Sequence, residues 1–131
     1  MLNQQAKQLQ KNDSIVLAKA VMSLFKHWEL TQESQCALLG ISSSSRKKLK
    51  EMESGKTGIP TGRDAQERVG YLLSIHKGLR LLYPKNKEIC YGWVSMRNDM
   101  FSGATPLEVM LENGYLGLAK VSRYLDMSRG R

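Results

Sequence analysis

Cysteine occurs only twice in 131 residues, at positions 36 and 90, and no second Cys/His set stands at zinc spacing. A disulfide framework and a structural zinc site are both excluded. No apolar run approaches the roughly 20 residues that a membrane-spanning helix needs, so no membrane partner is expected. The opening MLNQQAKQLQKNDS is polar and lacks the apolar segment of a signal peptide, which makes the cytoplasm the expected compartment. Phosphate-binding glycine loops, a Ser/His/Asp order and metal-ligand sets are missing too. The chain therefore reads as a non-enzyme that needs no cofactor.

Acidic residues are also in short supply. Twelve Asp/Glu face twenty Lys/Arg, for a formal charge of +8. Residues 1–62 hold nine basic against five acidic side chains, and residues 63–131 hold eleven against seven, so the excess is not an appended tail. Such a surplus favours an anionic partner.

Helical periodicity dominates what is present, and strand-like alternation is scarce. The expected class is all-α, with short β pairing at most near Met100-Phe101. Asp13-Ser14 can start a first helix whose stripe is Ile15, Ala18, Val21, Met22, Phe25 and Trp28. Thr31 caps a second helix over 31–39, terminated by Gly40, and a third begins after Ser42 and runs to about Met52. ESGKTGIPTGRD then reads as a linker, dividing the chain into residues 1–62 and 63–131. The second part opens with a long helix over 64–83, apolar at Ala65, Val69, Leu72, Leu73, His76, Leu79 and Leu82 and stopped by Pro84. A helix over 86–96 follows. Thr105, Pro106 and Glu108 then form a capping box with proline at the first helical position. Gly114 ends that helix, and a last one spans 116–126.

The stretch LTQESQCALLGISSSSRKKLK, residues 30–50, meets the requirements of a helix-turn-helix in order. Cys36-Ala37 are small enough for a helix crossing, Gly40 suits the turn, Ile41 anchors it, and Ser42 opens the second helix. With Leu49 inward at about 100° per residue, Ser43, Ser44, Lys47, Lys48 and Lys50 fall on or beside the outer face, together with Glu51. Arg46 falls near the core boundary. Serines suit close approach to base edges, and lysines suit phosphates. The same pattern also fits a solvated helix with a basic face, and both readings stand. His27 and His76 read as packed histidines, Cys36 and Cys90 as buried thiols, and Asp64 and Glu67 as acids complementing a helix dipole.

HWELTQESQCALLGIS, ERVGYLLSIHKGLRLLYP, Trp93, FSGATPLEVM and VSRYLDMSRGR together resemble the Xre/MbcA/ParS family of bacterial antitoxins, over residues 15–131. The likeness is greatest to the Xre antitoxins paired with RES-domain toxins. That resemblance implies an N-terminal Xre-like helix-turn-helix that binds operator DNA. It also implies a small helical C-terminal domain that binds and inhibits a cognate RES-type, NAD-degrading toxin. The family commonly carries a tryptophan near the end of the recognition helix, where this chain has Leu49 and Met52. On the same footing, Tyr124 and the tail Ser128, Arg129, Gly130 and Arg131 are expected to cap the toxin's cleft, with Arg129 or Arg131 on an acidic catalytic residue. A homodimer through the long 64–83 helix is expected. Two rivals remain: a stand-alone helix-turn-helix repressor, and an adaptor that no longer touches DNA.

Overall fold

A computed structural model describes residues 4–130. Its order is α1 (Gln4–His27), α2 (Gln32–Leu39), α3 (Arg46–Ser54), α4 (Arg63–Leu82), α5 (Lys87–Gly92) and α6 (Pro106–Ser128), with short 3-10 turns at Trp93–Ser95 and Asp99–Phe101. The described residues contain no strand. Met100 and Phe101 lie in the second 3-10 turn, where the Asn98 side chain accepts from the Met100 amide at 2.9 Å. The loop also bonds to itself, from Asn98 N to Ala104 O and from Gly103 N to Asn98 O, both at 3.0 Å, which leaves no partner for β pairing.

α1 starts about nine residues before Asp13. Its first segment, QQAKQLQKN, is built from good helix formers, and Gln8 bonds to Asn12 one turn on at 3.0 Å. Ser14 has a different duty. Its hydroxyl accepts from the Ile59 amide at 3.0 Å, and Gly58 approaches so closely that a Cβ there would stand 2.0 Å from Ser14 Oγ. The glycine-rich connection is thus laid against α1, with Ile59 and Pro60 buried.

α1, α2 and α3 all end in the same device. Within two residues of each helix end, Glu29, Gly40 or Gly55 is left-handed, at φ 56°, 72° and 80°. The next amide reaches back to Phe25, Cys36 and Glu51 respectively. Glu29 takes this strained conformation without being glycine.

Ala18, Val21, Met22 and Phe25 of α1 pack into one continuous core with Leu38, Leu39, Leu49, Leu72, Ile75, Leu79, Leu118, Val121 and Leu125. At about 1.5–3 kcal/mol for each fully buried large apolar side chain, this core is the main source of stability. Ile75 was not among the expected core positions, whereas Leu73, His76 and Leu82 are only half-buried. α4 is covered by this chain's own α1, α2, α5 and α6, leaving Leu81 as its exposed large apolar side chain.

α6 opens with the expected capping box. Thr105 N donates to Glu108 Oε1 at 2.8 Å and Glu108 N to Thr105 Oγ1 at 3.0 Å, which holds the Glu108 carboxyl below its ordinary pKa. Gly114, at φ 57° and ψ −128°, breaks the helix, and the second segment runs on to Ser128. That segment passes directly over the first. A Cβ on Gly117 would lie 2.3 Å from Val109 O, so the crossing admits no side chain.

Candidate functional site

Two surfaces carry the residues singled out by the sequence. The first is the α2–turn–α3 unit. Thr31 caps α2, its hydroxyl accepting from Ser34 N at 3.1 Å. Cys36 is 1% exposed where the helices cross, and burial pushes its thiol pKa up. Gln35 is tied down, donating to Leu30 O at 3.1 Å. Gly40 presses on the Arg68–Asp64 ion pair of α4, whose own bond is 2.9 Å, and Arg68 Nη1 also reaches Ala37 O at 3.3 Å. α4 therefore backs the turn.

α3 begins at Arg46, later than expected. The serine run forms its own turn: Ser45 N donates to Ser42 O at 3.0 Å, Ser44 N to Ser42 Oγ at 3.2 Å, and the Ser42 and Ser44 hydroxyls stand 2.8 Å apart. Ser43 and Ser44 are exposed at the entrance to α3 and not on its outer face. Lys47 and Lys50 are exposed on the helix, and so is Arg46, which does not sit at the core boundary. Lys48 is half-buried and turned to the connection, with Nζ 3.2 Å from Thr57 Oγ1 and 3.0 Å from Gly58 O. Glu51 is paired with Lys56 at 3.7 Å. The unit thus offers two free lysines, an arginine and two serines.

The second surface is built from parts far apart in the chain. Tyr124 of α6 lies against Trp93, with ring centroids 6.0 Å apart and planes 11° apart, and meets the Phe101 ring edge-on at 5.3 Å. Lys120 Nζ stands 5.7 Å from the Phe101 centroid. Around this cluster opens a groove of about 370 Å³ lined by Met100, Phe101, Lys120, Arg123, Tyr124 and Met127, with Ser128 at its end. Met100 and Met127 are 67% and 63% exposed, an unusual outlay of flexible apolar surface. Aromatic floor, methionine lip and cationic rim suit an apolar protein segment flanked by acids.

Of the expected toxin-binding residues, Tyr124 and Ser128 fall on this groove. Ser128 still completes the helix, donating to Tyr124 O at 2.9 Å. Arg129 is not a free cation. Its guanidinium is ion-paired with Asp126, its side chain is 19% exposed, and its Nε is buried beside Gly78 with no hydrogen-bond partner. Gly130 follows in a left-handed conformation, φ 85°, and Arg131 lies outside the described residues. Met100, Met127, Lys120 and Arg123 were not foreseen. The one signal for them was two methionines bracketing a loop and a helix end.

The histidines form no acid–base site. His27 stacks on Tyr91 at 4.1 Å, and His76 lies 5.6 Å from the same ring, its pKa lowered by burial, by Arg80 and by His27. Among the described residues no His/Cys/Asp/Glu group could hold a metal, and no helix is long and apolar enough to cross a membrane.

With both surfaces in place, the sequence matches two family models. Residues 8–74 match an antitoxin Xre-like helix-turn-helix domain, and residues 79–131 match an antitoxin Xre/MbcA/ParS C-terminal toxin-binding domain. The chain belongs to the Xre-like antitoxins. A protein of Sinorhizobium fredii (strain NBRC 101917 / NGR234), described as uncharacterized protein y4oB, is 32% identical over 112 residues, covering 86% of this chain and 83% of that one. Both matched modules are binding modules. The antitoxin's helix-turn-helix match takes in α2 and α3, and its toxin-binding match takes in the whole Tyr124 groove. The two meet near the end of α4, inside the shared core.

Proposed function

We propose that this antitoxin neutralises a RES-type, NAD-degrading toxin through the Tyr124 groove and its C-terminal tail, and represses its own operon through α3. The observation that carries the toxin half is the exposed Met100–Met127 lip over a stacked aromatic floor, within the residues matched by a toxin-binding domain. An apolar toxin segment fills the groove, and acids beside it meet Lys120 and Arg123. From the groove's end the chain leads on past Gly130, and in this proposal that extension carries Arg131 toward the toxin's acidic catalytic residue. Arg129, held by Asp126, anchors that extension instead of probing the cleft. Co-expression with the adjacent reading frame tests the proposal: NAD is spared by the full chain, and truncation before Ser128 restores its loss. If the truncated chain protects at stoichiometric dose, the tail has no part in inhibition.

For the operator, Lys47, Lys50 and Arg46 neutralise phosphates, while Ser43 and Ser44 approach the groove edge. A homodimer presents two such units. Leu9, Val16 and Leu17, exposed at 63%, 65% and 38%, recur at seven or eight residues along α1 and suit a helix-to-helix seam better than the covered α4. Sedimentation of Leu9→Lys/Val16→Lys as a monomer is the expected outcome, and an unchanged dimer removes the seam.

One observation favours the adaptor reading, in which the helix-turn-helix no longer touches DNA. Lys48, the middle of the three lysines of α3, is spent on the chain's own connection. A salt slope of operator binding left unaltered by Lys47→Ala/Lys50→Ala substitution would support it.

A further inference from the structure

A hollow of about 520 Å³ lies where the C-terminal end of α4, the Tyr83-Pro84 turn and α5 come together. Its volume is that of an ordinary small-molecule site, roughly 300–1,000 Å³. Buried Cys90 closes its floor, and half-buried Tyr83 and Tyr91 form an aromatic wall. Tyr91 is held by the His27 stack at 4.1 Å, so this half of the wall is set before anything binds. Lys77 and Arg80, one turn apart on α4, and Lys87, at the start of α5, reach the same hollow. No carboxylate lines it. All three cations are exposed, and none has a hydrogen-bond or ion-pair partner among the described residues.

Three like charges gathered over a low-dielectric floor without a counter-charge repel one another, and a bound anion relieves that repulsion. Charge alone describes many surfaces. Here the charges share a concave site with a partly preset aromatic wall, which asks for a ligand that is both planar and phosphorylated. We propose that this cleft binds a mononucleotide, its phosphate on Lys77, Arg80 and Lys87 and its base against the wall of Tyr83 and Tyr91. The site stands apart from duplex recognition: α3 packs on α1 and α2, whereas the cleft is made by α4 and α5. It is also distinct from the Tyr124 groove, with which it shares no lining residue.

Isothermal titration of the full chain with AMP, adenosine and inorganic phosphate tests the assignment. AMP binds saturably, with adenosine and phosphate each at least about tenfold weaker, because each supplies half of the contacts. Lys77→Ala/Arg80→Ala lowers AMP affinity at least about tenfold. Lys87→Glu does the same through a different helix, and since all three side chains are exposed, both proteins keep their far-ultraviolet dichroism. The proposal is overturned if AMP gives no saturable heat, if phosphate binds as tightly as AMP, or if either variant binds AMP like the parent. Loss of duplex binding by these variants while AMP stays silent would assign the cleft to a DNA backbone, and overturn the nucleotide equally.

Discussion

The helix-turn-helix and the Tyr124 groove differ in how far apart their parts lie along the chain. The first is built within residues 31–58, by caps and turns that a short segment makes with itself. The second joins the Trp93 and Asp99–Phe101 turns to the last turns of α6, and exists only because α6 doubles back at Gly114 and Gly117. The local unit presents cations and hydroxyls, the assembled one methionines and rings. A polar, sequence-local surface suits a uniform polyanion, and an apolar, fold-dependent surface suits one shaped protein partner.

The hardest blow to that contrast is Gly117→Val. The crossing has no room, and a loss of about 3 kcal/mol or more is expected, read as a lower denaturant midpoint. Because α2 packs on α6, both surfaces go in a single transition. Two transitions would mean independent halves. Next comes Met100→Glu/Met127→Glu, which leaves stability within about 0.5 kcal/mol but costs at least about tenfold in toxin affinity.

Lys47→Ala/Lys50→Ala should reduce the salt slope of operator binding by about two. For a protomer contacting about four phosphates, raising salt from 50 to 200 mM costs on the order of 100-fold. Lys48→Ala sharpens the comparison, since it leaves the slope alone and costs about 1 kcal/mol of stability through Thr57 and Gly58. Thr105→Ala, which removes the α6 cap, costs about 1 kcal/mol. The smallest effect is acid sensitivity. His76 has its pKa lowered from the ordinary 6.5, so the unfolded chain takes its proton first. Its contribution is complete above pH 6.5 and falls away as the pH drops below that value. His76→Gln should flatten the stability profile there.

The same difference in reach decides what was legible in the sequence. Thr31, Gly40, Thr105, Pro106 and Glu108 announce their helix ends by local chemistry, and each stands where expected. The start of α1 was missed because only Ala6 and Leu9 among its first nine residues are apolar, and helix propensity without an apolar stripe leaves little periodic signal. The serine run misled in the other direction: Ser42 looks like a helix cap, yet its hydroxyl serves Ser44, and α3 waits until Arg46. Lys48 reads as a surface lysine until the connection folds over it. Nothing local tells that Met100 and Met127 share a lip, or that Gly117, inside the expected last helix, marks a crossing.

A parallel titration tests the division of labour most directly: the purified chain and Met100→Glu/Met127→Glu, each against the product of the adjacent reading frame and against the operator fragment. The double variant is expected to lose at least about tenfold in toxin affinity while binding the operator like the parent. Unchanged toxin affinity, or an equal loss of both partners, would contradict it.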